Sequence, residues 1–129
     1  MENISEKSKK VCIIDDEDDI REIYSMKFKL EGFEVISAAD GEAGLKLMRE
    51  QKPDIILLDL QMPVKNGLDV LAEMKKDDSI KSIPVVVLSN ISDEKTFARV
   101  GKFRTHFYIV KALTTPQKVV DIVHEVLRW

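Results

Sequence analysis

Apolar residues in this chain fall into short unbroken runs, separated by longer stretches in which they recur every three or four positions. The runs lie at 11–14, 55–58, 85–88 and 107–110, with a shorter one at 35–37 that closes on Ser37. Their length and punctuation read as strands, and their lack of polar alternation reads as strands covered on both faces. Helical periodicity occupies 17–31, 41–51, 67–77, 93–103 and 116–128. In the first of these, Ile20, Ile23, Tyr24 and Phe28 share a face, and Glu31-Gly32 supplies a helix end. In the last, Val119, Val120, Val123, Val126 and Leu127 form the stripe, with Thr115 as cap and Pro116 as first helical residue. The polar stretch 93–103, interrupted by Gly101, predicts a short or mobile helix. Strict alternation of strand and helix predicts an α/β fold, a parallel sheet with helices on both faces.

Composition narrows the class. With 129 residues, 33% charged and 44% hydrophobic, the chain has the balance of one globular domain. That domain is expected over 9–129, behind a polar tail at 1–8. A net charge of −3 offers no basic footprint for direct nucleic acid binding. No apolar run approaches the ~20 residues of a membrane-spanning helix. The polar start has no signal-peptide core, so the expected location is cytoplasmic. The single cysteine, Cys12, sits inside an apolar run and reads as a small core residue.

The chemistry lies at the strand ends. Asp15-Asp16-Glu17 follow the first strand, Asp59 the third, Ser89 the fourth and Lys111 the fifth. In a parallel sheet all four share the carboxyl edge, where ligands bind in open α/β folds. Clustered carboxylates are unfavourable without a cation, and an all-oxygen set suits magnesium or another hard divalent ion such as manganese. Asp16 and Asp59 are the expected direct ligands, with Asp15 or Glu17 holding waters and the Gln61 backbone carbonyl completing the shell. Asp59 is then a nucleophile able to form an aspartyl phosphate. The metal, Lys111 and the Ser89 hydroxyl would hold the phosphoryl oxygens. Gln61 and Ile91 flank the approach of hydrolytic water and are candidates for setting the lifetime of the adduct.

The segments VCIIDDE, LLDLQMPVKNG, VVVLSN and YIVK, in that order at strand ends, resemble the receiver domain of two-component response regulators. The resemblance covers roughly 9–129 and implies a flavodoxin-like (βα)5 sheet of order 2-1-3-4-5. It implies phosphorylation of Asp59 by a histidine kinase or histidine phosphotransfer protein, with magnesium held by Asp16, Asp59 and the Gln61 carbonyl. Ser89 and Lys111 would contact the phosphoryl group, and Tyr108 matches the aromatic position that swings inward on activation. Output would pass to a downstream protein, or to a second copy, through the face of the fourth helix, fifth strand and fifth helix.

Three positions and one segment depart from the family pattern. Ala112 stands where proline usually follows a cis bond; since cis before alanine costs ~2.5–4 kcal/mol, the bond is either strained or trans. Asn90 replaces a small residue, and its amide would narrow the approach to Asp59 or bond the phosphoryl group. Asn66 replaces aspartate in a turn that accepts either. The segment 101–106 does not match the usual turn before the aromatic.

Simpler readings exist. The 15–19 acids alone would pass for a solvated helix start, and Asp18 and Asp19 keep that role. Lone Ser89, Lys111 or Tyr108 would be a turn residue, a surface lysine and a strand aromatic. His106 and His124 are isolated and read as structural, His124 among solvent-facing positions. Competing functions are a degenerate receiver acting as a constitutive interaction module, and a haloacid-dehalogenase-type phosphatase. The phosphatase needs a second acid two residues beyond the nucleophile, where this chain has Gln61. Flavin binding lacks a glycine-rich phosphate cradle.

Overall fold

The computed structural model describes residues 8–129; most of the expected tail at 1–8 lies outside the described residues. Five strands, β1 Lys10–Ile14, β2 Glu34–Ala38, β3 Ile55–Leu58, β4 Val85–Ser89 and β5 Phe107–Val110, form one sheet in the order β2-β1-β3-β4-β5. All pairings are parallel, with Val11 opposite Val35 and Ile55, and Leu57 opposite Val86. Five helices connect and follow them: α1 Asp18–Leu30, α2 Gly41–Gln51, α3 Gly67–Lys76, α4 Glu94–Gly101 and α5 Pro116–Leu127. The flavodoxin-like expectation holds in element order and in sheet order.

Strand pleating sends alternate residues to two cores. Val11, Ile13, Ile55, Leu57, Val86 and Leu88 pack with Tyr24 and Phe28 of α1 and Val119, Val120 and Val123 of α5. Cys12, Ile14, Ile56, Leu58, Val85 and Val87 pack with α2, α3 and Val100 of α4. Burial pushes the Cys12 thiol up to about 12, in keeping with a small core side chain.

Local rules explain most boundaries. Gly32, at φ +95°, ends α1; the N–H groups of Gly32 and Phe33 return to the carbonyls of Lys29 and Phe28. Phe33 then packs edge-on against Phe28, with ring centroids 5.0 Å apart. Asp40, Asn66, Asp93 and Thr115 cap the next four helices through their side-chain oxygens.

Two expectations need correction. Ile23 is half exposed, so α1 buries Tyr24 and Phe28 without it. His124 is only partly solvent-facing: its side chain is 32% exposed, with Nδ1 2.6 Å from the Trp129 carbonyl and the ring beside Phe33 and Trp129. No helix among the described residues is long and apolar enough to cross a membrane.

Candidate functional site

Chain order puts the parallel neighbours β1 and β3 on either side of the point where the sheet reverses direction of growth, and a crevice opens there at the carboxyl edge. Asp15 and Asp59 stand on its two walls. Each is held by its backbone, Asp15 N–H donating to the Ala38 carbonyl (3.1 Å) and Asp59 N–H to that of Ile14 (2.9 Å).

Three strand ends share one local device. Glu17 N–H donates to Asp15 Oδ1 (2.9 Å), Gln61 N–H to Asp59 Oδ1 (3.3 Å) and Ile91 N–H to Ser89 Oγ (3.3 Å). Short polar side chains bond the backbone two residues on and so turn the chain at the strand end. Asp16, Glu17, Gln61, Asn90 and Lys111 line the resulting cleft around Asp59.

Lys111 is the hub. Its ammonium lies 2.6 Å from Glu17, 2.7 Å from Asp15 and 3.3 Å from Asp59. The Lys111, Asp15 and Asp59 side chains are almost wholly buried, whereas Glu17 is 54% exposed. Burial works to lower the Lys111 pKa, but its bonds to Asp15 and Glu17 and the Asp59 charge prevail, and it stays firmly protonated. Burial, then the Asp15 charge, push Asp59 up to about 6, against the pull of Lys111. Asp15 is also raised, first by burial.

Three buried or clustered carboxylates against one ammonium leave excess negative charge. The carboxylate oxygens of Asp15, Glu17 and Asp59 lie within 4.8 Å of one another, a hard-oxygen set that fits a divalent cation. Asp16 lines the same cleft but is exposed and falls outside that trio. Glu17, given only a water-holding role from sequence, is the third member.

The remaining candidates sit around this centre. Ser89 is fully buried, and its hydroxyl oxygen is engaged by Ile91. Tyr108 donates its hydroxyl to the Ile91 carbonyl (2.5 Å) and stacks edge-on with Phe97 of α4, centroids 4.6 Å apart. Burial, then the charges of Asp93 and Asp59, raise its pKa. Gln61 is exposed at the mouth, and Ile91 is partly buried against the α2–α3–α4 core.

The loop after β3 folds back tightly. Pro63 accepts from Lys65 N–H (2.7 Å) across Val64, which sits at φ +68°. This is the γ-turn of positive φ, a strained form for a β-branched residue. Gly67 then passes so close to the Asp59 carbonyl that a Cβ would lie 2.4 Å from it.

Past Lys111, Asn90 takes a partner that neither sequence alternative named, while still lining the cleft around Asp59. No described peptide bond is cis, so Lys111–Ala112 is trans, and Lys111–Leu113 forms a 3₁₀ turn. Ala112 N–H donates to Asn90 Oδ1 (2.9 Å). The Asn90 carbonyl oxygen is therefore committed to the backbone after Lys111. Neither residue alone signals this; the signal is the pair, an amide at 90 with a residue other than proline at 112.

Comparison with known proteins agrees with this geometry. The family described as response regulator receiver domain matches residues 11–124. The chain is 36% identical over 119 residues to the probable transcriptional regulator ycf27 of Porphyridium aerugineum, covering 92% of this chain and 48% of that protein. It is 30% identical over 114 residues to the polar-differentiation response regulator DivK of Brucella anthropi, covering 88% and 93%. The chain thus spans about half the length of the ycf27 relatives it matches. Among solved structures, the chemotaxis protein CheY4 of Vibrio cholerae superposes with a TM-score of 0.87 at 25% identity, over 94% of this chain and all of that one. A family match over most of the chain, on a sheet whose strand ends carry that family's motifs, makes this protein a member of the response regulator receiver domain family.

Proposed function

We propose that Asp59 is the phosphoacceptor of a phosphorylation-switched signalling receiver. The observation that carries this reading is the buried Asp59 carboxylate at the end of β3, 3.3 Å from the Lys111 ammonium and beside Asp15 and Glu17. A carboxylate oxygen of Asp59 attacks phosphorus, forming an O–P bond as the donor's P–N bond breaks. The donor is the phosphohistidine of a kinase or phosphotransfer protein. Hydrolysis later returns inorganic phosphate and the free carboxylate. The chemistry is self-directed, which makes the protein a signalling phosphoacceptor and no turnover enzyme.

A magnesium or manganese ion, when bound, neutralises charge on the transferring phosphoryl group. Asp15, Asp16, Asp59 and the Gln61 carbonyl remain the proposed ligands, with Glu17 added to that set. Lys111, whose ammonium lies 3.3 Å from Asp59, would neutralise the remaining charge. Ser89 supplies its hydroxyl to a phosphoryl oxygen. Gln61 and Ile91 govern water entry.

Ser89 and Tyr108 both bond Ile91, from its N–H and carbonyl respectively, so a shift of Ser89 toward the phosphoryl group reaches Tyr108 and α4. The output surface is the α4–β5–α5 face, where Phe97 and Phe107 are over a third exposed. A downstream protein or a second copy binding one state better would read the switch. A domain spanning 9–129, a cytoplasmic setting and the absence of direct nucleic acid contact belong to the same reading.

Intact-mass spectrometry after incubation with acetyl phosphate tests it. The expected result is a single phosphoryl adduct that requires magnesium and is missing from Asp59→Asn. No adduct under any condition would instead favour a constitutive, phosphorylation-independent interaction module.

A further inference from the structure

Two consecutive residues of the loop after β4 are tied to the strand and turn that carry Lys111. Tyr108, three residues before Lys111, bonds the Ile91 carbonyl, and Ala112, one residue after it, bonds the Asn90 side chain (2.9 Å). Lys111 is thus bracketed by anchors on one loop. The Asn90 anchor is chemically reciprocal: proline at 112 would have no N–H to give, and a side chain at 90 without a carbonyl would have nothing to receive it.

We infer that Asn90 is a positioning residue for Lys111, fixing the backbone after it and so the reach of its ammonium to the phosphoryl site. In this chain a side-chain hydrogen bond does the work that a proline ring at 112 would otherwise do by limiting backbone freedom. Asn90 also belongs to the loop of Ser89 and Ile91, so the same bond couples the Lys111 backbone to the segment the hydroxyl must move. The inference rests on Asp59 being the phosphoacceptor for its kinetic consequence, but its structural consequence does not.

The experiment has two arms on the full chain. Nuclear magnetic resonance of the unphosphorylated protein follows the Ala112 amide and the Lys111 side-chain signals. Asn90→Ala should speed Ala112 amide exchange and shift the Lys111 signals; unmoved Lys111 signals would overturn the inference whatever Asp59 does. The second arm measures adduct formation from acetyl phosphate at saturating donor and magnesium. Asn90→Ala should slow it about three- to tenfold, the scale of one hydrogen bond, with magnesium affinity unchanged. Asn90→Gln, which keeps a carbonyl acceptor, should recover part of the rate. In an Ala112→Pro background, Asn90→Ala should have little further effect, since the bond is already gone. Fully multiplicative losses would show that Asn90 acts apart from position 112. If the parent protein takes no adduct, the phosphoacceptor reading fails and the resonance arm alone decides the inference.

Discussion

Asp59 sits beside Asp15 with little water to screen either charge, so without a cation beside it its ionised form weakens the fold. Its pKa is pushed up to about 6 in the folded protein, against roughly 3.9 in an unfolded chain. Between those values the folded state holds more protons than the unfolded one, so stability falls as pH rises and the loss is complete above the folded value. Asp59→Asn in chelator should therefore match the parent near pH 4 and exceed it by on the order of 2 kcal/mol near pH 7. Urea denaturation across that range reads the gap; a constant gap would mean that Asp59 is not strained by its charge. Val64 stores strain of another kind. It is 81% exposed, so replacing it forfeits almost no burial, and its φ of +68° is one glycine adopts freely. Relief of ~1–3 kcal/mol of backbone strain outweighs the ~0.5–1 kcal/mol entropic cost of glycine, so Val64→Gly should stabilise by about 1 kcal/mol. A lower urea midpoint for that variant would contradict this.

At the scale of elements, what can be read from sequence depends on how local the cause is. The runs at 55–58 and 107–110 become β3 and β5 without change; β3 is buried on both faces, as its continuous apolar run implies, whereas the edge strand β5 buries only Ile109. The polar 93–103 stretch yields only the eight residues of α4, with Val100 its one fully buried side chain, as the interruption at Gly101 implies. The 3₁₀ turn after Lys111 was not legible, since it depends on Asn90 22 residues away in sequence. Two glycines divide the same way. A methyl at Gly101 meets nothing within 4 Å, so Gly101→Ala should gain about 0.5–1 kcal/mol from helix propensity alone. At Gly67 the methyl would strike the Asp59 carbonyl at 2.4 Å and the Leu60 Cα at 2.7 Å, backbone that cannot step aside. Gly67→Ala should cost about 1–3 kcal/mol, the usual scale of overpacking. Thermal unfolding of the two variants should move in opposite directions; equal shifts would mean that the start of α3 is looser than this packing.

For the molecule as a whole, the parallel sheet gathers Asp15, Asp59, Ser89 and Lys111 onto one edge, which is why those positions could be found from strand ends alone. Side-chain partnership at that edge was less legible. Glu17 rather than Asp16 joins the carboxylate trio, because the turn that bonds Glu17 N–H to Asp15 returns Glu17 toward Lys111, while Asp16 stays exposed. The same clustering couples metal binding to protons. A cation at this trio must displace whatever proton Asp59 holds, and that proton leaves with a pKa of about 6. Magnesium affinity should then be flat above about pH 6.5 and weaken by up to roughly tenfold per pH unit well below 6. Since a ligand that binds only the folded state stabilises it by its occupancy, magnesium should raise the unfolding midpoint more at neutral pH than in acid. Isothermal titration calorimetry over that range reads the affinity directly, and Asp59→Asn should bind more weakly and lose the step near pH 6. Affinity independent of pH in the parent would place the cation away from Asp59, because no ion sharing that carboxylate could escape competition with its proton.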